Sequence, residues 1–170
     1  SDLKALTASD QEHKTVELFD QLLLQEKESI REYLKNNNIN LAEKYSLTLT
    51  APRIDLVAKC YVNNTMDIGN VIKKIKSYYD EIKNIELYFF KNHDINIVLE
   101  EDAIDFIIEQ LVESFVEFKM IYGKINQDFQ YGLKLAREKT GRNRFFITRQ
   151  ALMDPEEYIG NLIKDKLEPL

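Results

Sequence analysis

Between Lys134 and Arg149 the chain carries Lys134, Arg137, Lys139, Arg142, Arg144 and Arg149 against one acid, Glu138. The chain as a whole is acidic, with 29 Asp and Glu to 23 Lys and Arg and a formal net charge of −6. The centre of the basic stretch reads Lys139-Thr140-Gly141-Arg142-Asn143-Arg144. Its glycine implies that a helix ends or starts there. An arginine at a helix terminus suits a phosphate, because the guanidinium is a rigid fork that can bind two oxygens at once. The residues alone leave a second reading open, in which these side chains are solvated and pair with the many acids.

Other groups that could do chemistry stand apart. His13 and His93 have no Cys or His partner at metal-ligand spacing, so neither is expected to hold a metal. His93 falls at a helix-to-strand corner, which suits a surface or capping role. The carboxylates of Glu100-Glu101-Asp102 and Glu156-Glu157 could in principle act as acid and base. Their places in the first turns of helices explain them without catalysis, because a helix N-terminus favours negative charge. Gly-x-Ser-x-Gly, Gly-x-Gly-x-x-Gly and a phosphate loop ending Gly-Lys-Ser/Thr are all missing from the sequence. No catalytic residue is therefore assigned, and the chain is not expected to hydrolyse ATP by itself.

The single cysteine, Cys60, excludes an intrachain disulfide, and its apolar surroundings from Leu56 to Val62 predict a small buried hydrophobe. Asn63-Asn64-Thr65 fits a glycosylation acceptor, but nothing else suggests secretion. The acidic balance argues against general nucleic-acid binding, which needs excess Lys and Arg. No apolar run approaches the ~18–20 residues of a membrane span, and the N-terminus lacks the basic-then-apolar order of a signal peptide. A soluble, cytoplasmic protein without a membrane partner is expected. The chain begins Ser1-Asp2-Leu3 without Met, as expected of a piece of a longer protein.

The elements that must position the basic stretch can be read from periodicity. A first helix is expected from Ser9, capped by Ser9 or Asp10, to Asn36, with Val16, Phe19, Leu23, Ile30 and Tyr33 or Leu34 on one face. Asn36-Asn37-Asn38 would end it in a left-handed turn. Tyr45–Thr50 alternates like a strand, and Pro52 then opens a short buried helix from Ile54 to Val62. Capped by Thr65 or Asp67, the next helix repeats Ile68, Val71, Ile72, Ile75, Tyr79, Ile82, Ile85 and Phe89 at three and four. Asn92-His93-Asp94 closes it. Ile95–Leu99 reads as a strand with one buried face. Glu100-Glu101-Asp102 opens a helix whose core face is Ile104, Ile107, Ile108, Leu111, Phe115 and Phe118. Gly123 is expected to interrupt, with a further helix from Lys124 to Lys139. Phe145–Thr148 reads as a strand pairing with Ile95–Leu99, and Tyr45–Thr50 is a candidate third. A last helix runs from Asp154 to Leu167. Ile72, Ile75, Ile82, Ile107, Leu111 and Phe115 are the expected core.

The order helix Ile68–Phe90, strand Ile95–Leu99, acid-opened helix from Glu100, then Lys139-Thr140-Gly141-Arg142-Asn143-Arg144, resembles the small C-terminal domain of Clp-type, Hsp100-like AAA+ unfoldases. That family carries Lys-Thr-Gly-Ala-Arg-Gly-Leu-Arg, whose first Arg senses the nucleotide between small and large domains. Direct alignment puts Asn143 at that Arg, with Arg142 and Arg144 on either side. The resemblance implies residues 67–170 as the small domain, with a helical insertion around 115–130, and residues 1–66 as a helical extension of unknown role. It implies Lys139, Gly141, Arg142 and Arg144 as nucleotide-contacting residues, and ATP as cofactor of a full-length parent only. It also implies a non-catalytic part in an ATP-driven unfoldase, chaperone or protease-associated machine. The partners would be its own large domain, neighbouring subunits and a protease or substrate protein. The alternative is a stand-alone helical interaction or regulatory module. In either case the expected fold class is mainly α, of α+β type, a helical domain with a small two- or three-stranded sheet.

Overall fold

A computed structural model of the chain describes residues 8–64 and 66–167, with the side chains of 165–167 left aside. Its elements are α1 (Ala8–Asn36), α2 (Asn38–Tyr45), α3 (Ala51–Asn63), α4 (Ile68–His93), β1 (Ile97–Leu99), α5 (Glu101–Glu113), α6 (Phe118–Thr140), β2 (Phe145–Ile147), α7 (Arg149–Met153) and α8 (Pro155–Leu167). The chain is thus mainly helical with one small sheet. Among the described residues no helix is long and apolar enough to cross a membrane. The fold divides into two compact units, Ser1–Lys74 and Ile75–Leu170.

In the first unit α1 packs on α3. Helix α1 already begins at Ala8, so Ser9 and Asp10 stand inside its first turn rather than capping it. Leu34 is fully buried, Leu23 and Ile30 are half-buried, and Val16 and Phe19 of the expected stripe are exposed. Asn37 ends α1 as expected of the asparagine run, but with φ −112 instead of a left-handed turn, and the chain restarts at once as α2. The left-handed residue comes later, at Ser46, φ 53, which closes α2.

The expected strand Tyr45–Thr50 does not form. Leu47 and Leu49 are buried and Thr48 is exposed, so the alternation is real. The backbone groups that a neighbouring strand would satisfy are met by side chains instead. Arg53 Nη1 donates to the Thr48 carbonyl at 2.8 Å, and Asn38 Nδ2 to the Leu49 carbonyl at 3.3 Å. Arg53 is itself buried. Thr50 caps α3 by accepting from the Arg53 N–H, with Pro52 in the first turn, and Cys60 is buried as expected.

Across α1 and α3, Arg31 binds Asp55 and Glu28, while Lys27 and Lys59 stand 3.8 Å and 3.5 Å from Asp55. Burial alone would raise the Asp55 carboxyl's pKa. The Arg31 guanidinium, with Lys27 and Lys59 behind it, more than reverses this and holds it below the usual carboxylate range.

Helix α4 starts where Asp67 Oδ1 accepts from the Asn70 N–H at 2.8 Å. Thr65, the other expected cap, lies outside the described residues. Val71, Ile72, Ile75, Ile82, Ile85 and Phe89 are buried along it, with Ile68 and Tyr79 half-buried.

In the second unit β1 and β2 pair in parallel, Ile97 with Phe145, Val98 with Phe146 and Leu99 with Ile147. A parallel pair needs a long crossover, and α5 and α6 supply it. Ile97, Leu99, Phe145 and Ile147 face the core. The Leu99 N–H is met by the Glu86 carboxylate at 2.8 Å, and the Glu100 N–H continues the pairing to the Ile147 carbonyl at 2.9 Å.

Two expectations fail between α5 and α6. Helix α5 ends at Glu113, and Phe115 is 87% exposed at φ 52, so it is no part of the core. Helix α6 then runs through Gly123 without a break. Its buried face, Ile125, Phe129, Leu133, Ala136 and Thr140, keeps a spacing of three and four, and packing of that face outweighs the roughly 1 kcal/mol a mid-helix glycine costs. Gly132 has a packing reason, since a Cβ there would come 2.3 Å from Ile159 Cδ1 of α8.

Two outcomes follow. Ile75→Ala and Leu111→Ala should each destabilise the fold by about 2–5 kcal/mol in urea unfolding, whereas Phe115→Gly should stay within about 0.5 kcal/mol. Equal costs at all three sites would contradict this core. For Asp55, a depressed folded-state pKa means that its contribution is present above the unfolded value and lost as pH falls through the folded one. Stability should therefore drop below about pH 4, and Asp55→Asn should flatten that drop. An unchanged acid profile in Asp55→Asn would show that the ion-pair cluster contributes nothing.

Candidate anion-binding site

The basic stretch begins inside α6, at Lys134, and continues through that helix's last turn. Arg137 and Lys139 stand there, where the negative end of the helix dipole favours cations. Buried Thr140 turns its hydroxyl back to the Ala136 carbonyl at 2.6 Å, and its Oγ1 accepts the Arg142 N–H at 3.2 Å. Gly141 then takes φ 71, and its N–H meets the Arg137 carbonyl, closing the helix. A left-handed residue is needed at this point, and glycine adopts it without strain. The glycine therefore marks a helix end, not a start. Gly141 thus brings the negative end of a helix dipole to the stretch, and what would attract an anion there is the charge of the side chains.

Those side chains divide into two groups. Arg137 and Asn143 turn inward to the C-terminal end of α4. Asp94 leaves α4 at φ 53, and its carbonyl accepts from Arg137 Nη1 at 2.7 Å and from Asn143 Nδ2 at 3.0 Å. Arg137 also reaches the His93 carbonyl at 3.5 Å, and Asn143 Oδ1 accepts the Asn96 N–H at 3.3 Å. Arg149 is likewise engaged, 3.5 Å from Glu109 and stacked at 4.9 Å over the Phe106 ring.

Arg142 and Arg144 turn outward. Both are exposed, and among the described residues neither meets a carboxylate. Arg144 lies 5.2 Å over the ring of Phe146, which is exposed on the outer face of β2. The two-residue period of extended backbone puts Arg142, Arg144 and Phe146 on one side. They line a cleft of about 440 Å³ with Thr140, Phe145, Tyr158 and Leu162. Tyr158 donates to the Phe146 carbonyl at 2.7 Å, and burial pushes its pKa up to about 12. The phenol, like an ordinary tyrosine's, is neutral at physiological pH and adds no negative charge.

Of the four residues expected to contact nucleotide, the fold brings Arg142 and Arg144 together. Lys139 and Gly141 are exposed nearby and do not line the cleft. Sequence reasoning missed Phe146, Tyr158 and Leu162. The alternation of Arg142, Arg144 and Phe146 was the available signal for the first of these. The other candidates for chemistry lie elsewhere. Glu101 accepts from the Tyr79 hydroxyl at 2.9 Å, and Asp102 accepts the Arg149 N–H at 3.2 Å. Glu156 and Glu157 lie in the first turn of α8. His13 pairs with Glu17 at 3.1 Å, while His93 contacts Asn126 and packs its ring 4.9 Å from that of Phe89. Among the described residues no group of three or more His, Cys, Asp or Glu side chains is placed to hold a metal ion. Compared with family models, curated proteins and solved structures, the chain matches none.

Proposed function

We propose that the chain is a non-catalytic domain of a larger AAA+-type ATPase, in which Arg142 and Arg144 contact the phosphates of a nucleotide bound by a large domain. One observation carries this reading. In a chain of net charge −6, two neighbouring guanidiniums line one cleft and neither is neutralised by an acid among the described residues. Solvated side chains placed to pair with the protein's own acids would look like Arg149, which lies beside Glu109. Asn143, at the position of the family's sensor arginine, is occupied in holding Asp94 and Asn96. The contact therefore falls to the arginines on either side. Phe146 offers a flat apolar surface beside them, suited to a base or ribose. ATP is the cofactor of the parent machine, whose further partners would be neighbouring subunits and a protease or substrate protein.

The isolated chain tests this directly. Titrated with tripolyphosphate or ATP, it should show nuclear magnetic resonance shifts at the Arg142 and Arg144 Nε–H groups, with a Kd on the order of 1 mM, about −4 kcal/mol. Arg142→Ala with Arg144→Ala should abolish the shifts, and the double Lys variant should weaken them, because the bidentate fork is lost. ATP should not be turned over. Shifts centred elsewhere, shifts that persist in the double Ala variant, or ATP hydrolysis by the purified chain would contradict the reading.

A further inference from the structure

Helix α1 is longer than the surface that covers it. From Leu23 to Leu34 its inner residues are half-buried or buried, and it packs there on α3. Where α3 ends at Asn63, a notch of about 350 Å³ opens, lined by Asp20, Leu23, Leu24, Lys27, Lys59, Val62 and Asn63. Beyond the notch α1 continues back to Ala8, and the apolar stripe continues with it as far as Val16. Phe19 lies four residues before Leu23 and Val16 three before Phe19, yet Val16 and Phe19 are 56% and 59% exposed. Leu18 and Leu22, exposed at 59% and 54%, widen the stripe on one side. An apolar stripe of this width is what a core-facing helix carries, and here, among the described residues, it is left exposed.

Charge decides what would cover it. From Ala8 to Glu26 the helix holds Asp10, Glu12, Glu17, Asp20 and Glu26 against Lys14 alone, a net charge of −4 with His13 neutral. A second copy of α1 would bring −4 against −4. Anionic lipid headgroups and nucleic acid would be repelled in the same way. A helix with an apolar stripe flanked by Lys or Arg meets no such penalty, and its basic flanks would find Glu12, Glu17 and Asp20 beside Val16 and Phe19. We infer that the N-terminal half of α1 is a docking surface for a basic amphipathic helix of a partner protein, laid along α1 as a continuation of α3 with an apolar side chain in the notch. This inference stands independently of the arginine cleft, since it uses residues of the first unit only.

The test uses the whole chain and a fluorescently labelled peptide of Leu and Lys, about 18 residues or five helical turns long, with a Leu/Glu peptide of the same pattern as control. The Leu/Lys peptide should bind saturably and one to one, and more weakly as salt is raised. The Leu/Glu peptide should not bind. Val16→Gln with Phe19→Gln keeps helix-compatible residues at exposed positions, and far-UV circular dichroism should confirm the fold. This variant should bind the Leu/Lys peptide at least about tenfold more weakly, as expected when apolar anchors are lost. Glu12→Lys, Glu17→Lys and Asp20→Lys together should shift preference to the Leu/Glu peptide. Failure of the parent chain to bind, or equal binding by the Gln variant, would overturn the inference. So would self-association or binding to phosphatidylserine vesicles that depends on Val16 and Phe19, because these would assign the stripe to a second copy or to a membrane.

Discussion

The second unit depends on how the C-terminal end of α4 is closed. The last carbonyls of a helix have no partner within it, and α4 ends against β1 with only a few residues of turn. Asp94 supplies the left-handed residue, and Arg137 and Asn143 supply the donors. Both donors come from distant sequence, one from the last turn of α6 and one from the loop after it. The closure of one helix thereby fixes the end of another, the start of β1 through the Asn96 N–H, and the entry to β2. A sheet of two three-residue strands has too few ladder bonds to hold its own register. Here the register is held from outside, by Asn143 at one end and by Glu86 and the Glu100 N–H at the other.

The same constraint sorts the basic stretch. Asn143 is drawn inward and Phe145 is buried, while Arg142, Arg144 and Phe146, alternating with them, are exposed. The cleft is thus a geometric consequence of the closure. Its chemistry differs from that of a helix N-terminus, because the dipole of α6 points its negative end at Gly141. Two guanidiniums and an aromatic face remain at the mouth of the cleft.

Much of this was legible in sequence where burial repeats at a regular period. The faces of α4 and α5 could be read that way, and composition added the pairing of β1 with β2, the burial of Cys60 and the helix boundary at Gly141. What the pattern could not carry was where the chain turns without glycine or proline. Phe115 follows Leu111 at helical spacing, so a continuing helix would bury it, but Ser114 and Phe115 turn the chain and leave the ring outside. Tyr45–Thr50 has the alternation of a strand, yet Arg53 and Asn38 satisfy its carbonyls, and an arginine buried for that purpose gives no periodic signal. At the site, the arginine excess was visible while the difference between Arg137 and Arg142 was not. That difference depends on Asp94, which is far away in sequence.

Hydrogen exchange on the Asn143→Ala variant measures the closure most directly. Asn143 side-chain bonds reach the Asp94 carbonyl and the Asn96 N–H, and the Phe145 N–H in turn meets the Asn96 carbonyl. The amides of Asn96 and Phe145 should therefore exchange about two- to tenfold faster than in the parent chain, the size expected for losing a hydrogen bond worth about 0.5–1.5 kcal/mol. Phe129 and Leu133 in the middle of α6 should keep their protection. If Asn96 and Phe145 remain as protected as before, Asn143 does not hold the loop, and the outward placement of Arg142 and Arg144 has another cause.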